Sequence, residues 1–234
     1  MRSSPCGMAC STGCEQSGQK FIIQLVYTAL GRGKSLPTMF LQQLQKNYPL
    51  DFGGDLLADH SRRKQYAGVT LLLTETSKSG YQLLFIRRAK HLKSHPNQVA
   101  FPGGKFESED NNLAETALRE TEEEVGVDRT QIHLLGSMDL YTAMNGILVK
   151  PFIGTTTFTN FRPSDHEIES VFQVPLEFFL TSEPSRIDRL NRFGTVWEVP
   201  AWHYEGYEIW GMTAKIVGDL VSRIRQIPIE LRGM

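Results

Sequence analysis

Residues 101–127 read FPGGKFESEDNNLAETALRETEEEVGV, a glycine turn followed by a helix signature and a dense run of acids. Nothing between Asn112 and Val125 breaks a helix. At about 100° per residue, Ala114, Leu118, Thr121 and Val125 fall on one stripe, which predicts a core-facing side. Glu120, Glu123 and Glu124 stand at i, i+3 and i+4 and are expected opposite that stripe, their carboxylates crowded on one side of a single turn. Glu115 and Glu122 point elsewhere. Like charges so placed cost about 0.2–0.5 kcal/mol per pair on a bare helix, and more in a cleft of lower effective dielectric. A hard divalent cation offsets that cost, and Mg2+ reaches its sites through one or two carboxylates together with substrate phosphates. Arg119 is placed to orient a ligand carboxylate, Gly126 to end the helix, and Pro102-Gly103-Gly104 to let backbone approach a ligand or metal closely. The competing reading is a solvated acidic face, the usual fate of a charge run.

Gly104 to Val127 resembles the Nudix box, in which a glycine and then an acidic residue precede R-E-U-x-E-E-x-G-U, U being a bulky aliphatic. Here the second half is Arg119-Glu120-Thr121-Glu122-Glu123-Glu124-Val125-Gly126-Val127, with Thr121 where an aliphatic is usual. Asp110 takes the acidic place, and eight residues rather than seven separate it from Arg119. That longer spacing is similar to the coenzyme A pyrophosphatase branch of the family. The branch's second signature is matched by LLFIRRAKHLKSHPNQVAFPGG at 83–104, with Lys93 where arginine is common and Asn97 where glycine is usual. Asparagine tolerates left-handed backbone better than most residues, so the turn is expected to survive. Lysine keeps the charge but loses the bidentate fork that suits phosphate. The resemblance continues through Glu167–Leu176 and Tyr207–Ala214, covering the chain from about Tyr66 to Ile224.

The resemblance implies an α/β fold, the Nudix-type α/β/α sandwich with a mixed central β-sheet. It also implies metal-dependent hydrolysis of a nucleoside diphosphate-linked substrate. Within the branch this is coenzyme A or its thioesters, cleaved to 4'-phosphopantetheine (or its acyl form) and adenosine 3',5'-bisphosphate. The expected cofactor is Mg2+ or Mn2+, neutralising charge on the phosphate oxygens and lowering the pKa of a bound water. Glu120 and Glu124, four apart on one face, are the first choice for metal ligands. Glu123 is a third ligand or a group held by Arg119, and the Gly104 carbonyl is a ligand implied by the resemblance. The general base is Glu120, one of Glu123 and Glu124, or Glu167 ahead of a later strand, with structural capping the alternative role for Glu167. In the basic run Arg87, Arg88, Lys90, His91, Lys93, His95, alternation across a strand lets only one of Arg87 and Arg88 face the site. Arg88, Lys93 and Gln98 are the expected substrate-binding residues, since clustered cations suit a substrate with three phosphates. The histidines read as surface residues, because Mg2+ and Mn2+ favour oxygen ligands.

The rival readings are a Nudix pyrophosphatase for another dinucleotide or sugar nucleotide, such as NADH or ADP-ribose, and a non-catalytic nucleotide-binding Nudix module. The retained box glutamates speak against the second. A plain acidic surface helix leaves the ordered signatures unexplained. The formal net charge of −1 offers no broad basic surface, so neither nucleic acid nor an anionic membrane is expected as a partner; a small nucleotide is. Oligomeric state is left open, because the apolar stripe on the last helix suits core or interface equally.

Around the box, 234 residues suffice for one sizeable core. The expected division is a disordered tail at 1–20, an extension with a helix at 21–60, the Nudix domain at 61–226 and a tail at 227–234. Cys6, Cys10 and Cys14 all lie in the first tail, which argues against a disulfide scaffold. The apolar run at 20–30 is too short to span a bilayer. A cytoplasmic location is expected, with mitochondrial the alternative, since the tail lacks an arginine-rich amphipathic pattern. A helix is expected over Pro37–Tyr48 and a hairpin from Ala67–Leu73 and Tyr81–Ile86. Further strands are expected at Ile132–Leu135, Ile147–Ile153 and Val171–Val174, and a strand pair at Thr195–Val199 and Tyr207–Trp210. Pro151 implies a sheet edge or bulge. A final helix from about Trp210 to Gln226 carries the stripe Ile216, Val217, Leu220, Val221, Ile224.

Overall fold

The strands β1 (Tyr66–Thr76) and β2 (Gly80–Arg88) form the antiparallel hairpin expected from their apolar runs, but they pair only from Leu73↔Leu83 to Thr76↔Gly80. Beyond that they splay, and the segment 99–105 enters the gap. There β3 (Val99–Ala100) bonds to β2 and β4 (Gly103–Lys105) to β1, while the Pro102 carbonyl accepts from the Thr70 N–H at 2.8 Å. The outer side of β2 pairs with β8 (Ile168–Pro175). On its other side β1 runs parallel to β7 (Leu148–Thr156), itself flanked by β5 (His133–Ser137) and β6 (Tyr141–Thr142). The sheet is therefore mixed. This computed structural model describes residues 38–59, 61, 63–76, 80–164, 166–192 and 194–226. The tails expected at 1–20 and 227–234, with the three cysteines, and the apolar run at 20–30 lie outside the described residues.

Strands buried on both faces read as continuous apolar runs, and β1 and β2 do. Leu71, Leu73, Leu83 and Phe85 point to one side, into a core shared with α1 (Thr38–Asn47), α3 (Leu176–Thr181) and α4 (Gly211–Arg225). Leu72, Leu84 and Ile86 point to the other side, toward Val125 at the end of α2 (Leu113–Val125). The result is the α/β/α sandwich of the Nudix fold. The stripe expected on α4 is wholly core, with Ile216, Val217, Leu220, Val221 and Ile224 all buried. Among the described residues no helix is long and apolar enough to cross a membrane.

Two expectations need correction. Pro151 lies in β7, an interior strand, in register with Val69. Its carbonyl accepts from Met138 N–H, so its missing N–H falls on the same side, between the end of β5 and the start of β6, where no ladder bond is lost. The expected late strand pair is a three-stranded sheet: β10 (Thr195–Tyr204) pairs along its first part with β9 (Arg186–Arg192) and at its end with β11 (Tyr207–Ile209). Ile187, Leu190, Val196 and Trp197 are exposed on this sheet, so β9 lacks the buried alternation by which a strand is recognised.

Candidate functional site

Helix α2 begins and ends where its sequence directs. The Asn112 side chain accepts from Glu115 N–H at 2.9 Å, and Gly126 closes the helix at φ 72° with its N–H on the Glu122 carbonyl. The helix lies close on β1 because Gly68 has no side chain: an added Cβ would stand 2.3 Å from the Leu113 carbonyl oxygen. Ala114, Thr121 and Val125 face the core as expected, joined by Ala117, while Leu118 is half-buried. Thr121, at the place of a usual aliphatic, finds a polar partner. Its hydroxyl lies 2.8 Å from the Thr70 hydroxyl and 2.6 Å from the Ala117 carbonyl, to which Thr70 also donates. A pair of threonines thus replaces an apolar contact.

The three glutamates do not share one exposed side. Glu124 is buried at 4% exposure, because it lies three residues beyond Thr121 on the edge of the core face. Its Oε2 accepts from the Gly103 N–H at 2.9 Å, and Arg88 Nη1 stands 3.8 Å from its Oε1. Burial pushes its pKa up to about 8 despite that N–H, and the nearby carboxylates of Glu120 and Glu167 add to the rise. Glu120 is also raised, by burial first, with Arg119 opposing. Its carboxylate presses on the backbone of Gly104, where an added Cβ would stand 2.2 Å from Glu120 Cδ. Glu123 faces solvent, held only at 3.4 Å by Arg119. Glu122 pairs with Arg129 and Glu115 with Asn111, both away from the site.

Arg119 organises the cluster. Its Nε and Nη2 take both oxygens of Asp110 at 2.9 and 3.0 Å, a bidentate fork, while Nη1 reaches Glu120 at 3.0 Å and Nη2 the Lys105 carbonyl at 3.3 Å. Asp110 is itself buried. Burial works to raise its pKa, but Arg119, the Glu107 N–H and the Thr116 hydroxyl outweigh it and hold the carboxyl below its ordinary value.

The basic run divides as alternation requires. Arg88 lies on the α2 side, whereas Arg87 turns to the opposite face, 3.2 Å from Glu169 and over the Tyr207 ring. Lys90 also pairs with Glu169. The loop from Ala89 to Gln98 is closed by two backbone bonds on Arg88, to Gln98 O and from Asn97 N–H. Asn97 adopts φ 60°, the left-handed backbone expected of a residue in a glycine's place. Lys93 is exposed on this loop, and the Gln98 Oε1 lies 2.9 Å from His95 Nδ1. Glu167 is exposed, its carbonyl accepting from Ala89 N–H, so β8 brings it to the foot of the same loop.

Among the described residues no three His, Cys, Asp or Glu side chains stand ready to hold a metal ion. Two carboxylates and a side-chain-free backbone do come together: Glu124 with too little positive charge for its burial, and Glu120 against Gly104. That donor set fits a hard divalent cation, which takes carboxylate and carbonyl oxygens and keeps several waters. Glu123 is the least placed of the expected ligands. The Gly103 N–H was not foreseen as a partner, since it lies 21 residues from Glu124 and no local pattern links them.

A family model described as the NUDIX domain matches residues 64–203, more than half of the chain. A protein of Yersinia pestis (strain Pestoides F) called "Uncharacterized Nudix hydrolase NudL" is 37% identical over 143 residues, which are 61% of this chain and 72% of that protein. The protein of the same name in Yersinia pseudotuberculosis serotype O:1b (strain IP 31758) matches equally. The crystal structure of a Nudix hydrolase from M. smegmatis, RenU, superposes with a TM-score of 0.48 at 16% identity, covering 72% of this chain and 91% of that one. With the family model spanning β1, α2 and the splayed gap between β1 and β2 that holds Gly103 and Gly104, the chain belongs to the NUDIX domain family.

Proposed function

We propose that the protein hydrolyses the diphosphate bond of coenzyme A or its thioesters, giving 4'-phosphopantetheine, or its acyl form, and adenosine 3',5'-bisphosphate. The general class, a Nudix hydrolase of nucleoside diphosphate-linked substrates with a divalent metal, follows from the family. The choice of coenzyme A is our own reading, and one observation carries it. The loop of the second signature is closed on Arg88 by two backbone bonds, and the Arg88 guanidinium stands 3.8 Å from buried Glu124, so the signature delivers this one cation to the carboxylates.

Glu120, Glu124 and the Gly104 carbonyl would hold Mg2+ or Mn2+, which supplies charge neutralisation on the diphosphate oxygens and a more acidic water. The chain's own contributions are distinct. Arg119, fixed by Asp110, keeps Glu120 against Gly104. Glu124 is anchored by the Gly103 N–H so that one oxygen stays directed toward Arg88. Arg88 and Lys93 would take phosphate oxygens, with Gln98 beside them. Glu167, exposed and near Glu124, is suited to accept a proton from the attacking water; Glu120 is the competing base, but its contact with Arg119 occupies one of its oxygens.

Parallel incubation with coenzyme A, NADH, ADP-ribose and nucleoside triphosphates, each with Mg2+ or Mn2+, tests the reading. Release of 4'-phosphopantetheine and adenosine 3',5'-bisphosphate at the highest kcat/KM is the expected result. Preference for NADH or ADP-ribose would overturn the substrate, and turnover of none would overturn the hydrolase.

A further inference from the structure

Residues 49–57 lie outside the stretch matched by the family model, yet they touch the catalytic helix at its first turn. The first N–H groups of a helix have no partner within it. In α2 the first of them, Leu113 N–H, donates to the Phe52 carbonyl at 3.1 Å. Gly53 follows at φ 71°, so near the Leu113 side chain that an added Cβ would meet it at 3.0 Å. Leu57 is buried with Leu113, Ala114 and Ala117.

The same segment is fastened to the sheet. Lys150, on β7, is 7% exposed, and its ammonium meets Asp51 Oδ2 at 2.7 Å. The other Asp51 oxygen accepts from Gly53 N–H at 2.9 Å, setting the turn that presents the Phe52 carbonyl. Ser137, on β5, joins the segment twice, donating to the Pro49 carbonyl and accepting from Asp51 N–H, each at 3.1 Å. The Lys150 ammonium and then the Gly53 N–H hold the Asp51 carboxyl below its ordinary value, so it is ionised at neutral pH. A lysine buried in a sheet is costly unless its charge is met. An apolar residue would fill the place, but it would not tie the segment down.

We propose that the segment Pro49–Leu57 is a strap that positions the catalytic helix, with Lys150 and Asp51 as positioning residues that pin it to the sheet. The helix is held to the sheet at its centre by Thr70, Thr121 and the Ala117 carbonyl, and at its first turn by the strap. Without the strap the first turn is released while the centre and the last turn stay held, so the helix can shift at its N-terminal end, which loosens the placement of Glu120 against Gly104. The catalytic consequence rests on the hydrolase reading above; the mechanical one does not.

Hydrogen exchange of the full chain, read by mass spectrometry without substrate, tests it. In Asp51→Asn and Lys150→Met, amides of Leu113–Ala117 should exchange about three- to tenfold faster, with α4 unchanged. Lys150→Arg should restore wild-type exchange. Asp51 is largely exposed, and asparagine keeps an acceptor for the Gly53 N–H and the Lys150 ammonium, so Asp51→Asn is the milder change and keeps the test open if Lys150→Met fails to fold. With any substrate that is turned over, kcat should fall and KM stay. Unchanged exchange at Leu113–Ala117 in Asp51→Asn, or equal acceleration in α4, would overturn the strap. Because exchange needs no turnover, failure of the substrate assignment leaves this outcome readable.

Discussion

Replacing Glu124 by Gln should stabilise the metal-free protein while abolishing its activity. Glu124 is 4% exposed, and its carboxyl pKa rises from 4.5 to about 8 on folding, by burial above all. Between those values the unfolded chain has lost this proton and the folded chain keeps it, so stability falls as pH rises from 4.5 toward 8. At pH 7 the interval is about 2.5 pH units (7 − 4.5), which at about 1.4 kcal/mol each sets a ceiling of roughly 3–4 kcal/mol. Glutamine keeps an acceptor for the Gly103 N–H and never ionises. Local relaxation and the lost attraction to Arg88 reduce the gain to about 1–2 kcal/mol, a rise in Tm of about 2–8 °C for a chain of this size. Thermal unfolding in chelator at pH 5, 7 and 8.5 reads it: the variant's advantage should be small at pH 5 and grow to pH 8.5. Metal-stimulated turnover should fall about 100-fold or more. A variant less stable at every pH, or an advantage independent of pH, would refute the reasoning, since the carboxylate would then be satisfied without a cation.

Arg119→Lys loses the fork on Asp110 and should cost about 2–3 kcal/mol, seen as a lower urea midpoint. Because Asp110 is held below its ordinary pKa when folded, the stability this pair provides is present above about pH 4 and lost as pH falls through the folded value, so wild type and variant should converge in acid. Gly104→Ala places a methyl group 2.2 Å from Glu120 Cδ. The carboxylate must move, and turnover should drop about 100-fold with circular dichroism unchanged. Thr121→Val should change unfolding free energy by less than about 1 kcal/mol, because Thr70 still donates to the Ala117 carbonyl.

Where an apolar period was strong, sequence and structure agree. The limits of α2, its end at Gly126 and the buried stripe of α4 follow from local sequence, because a helix face is a local property. The depth of Glu124 is not local. It depends on the gap between β1 and β2, and on the Gly103 N–H that the gap positions. The same holds for the strap, since Lys150 and Asp51 are 99 residues apart and neither has a pattern of its own. Arg87 and Arg88 show the middle case. Strand alternation says they part, the expectation favoured Arg88, and the packing of α2 on the Ile86 side puts Arg88 beside Glu124. Pro151 misleads because a proline's cost depends on which ladder partner is missing, here the interval between β5 and β6.

Binding of Mn2+ to the purified protein, titrated by calorimetry with and without nucleotide and repeated on Glu124→Gln and Glu120→Gln, tests most directly whether these carboxylates exist to hold a cation. The account predicts saturable binding to the wild type, tighter with nucleotide and releasing protons near pH 7, and weakened about tenfold or more in each variant. No binding to the wild type under either condition, or equal binding to all three proteins, would contradict it.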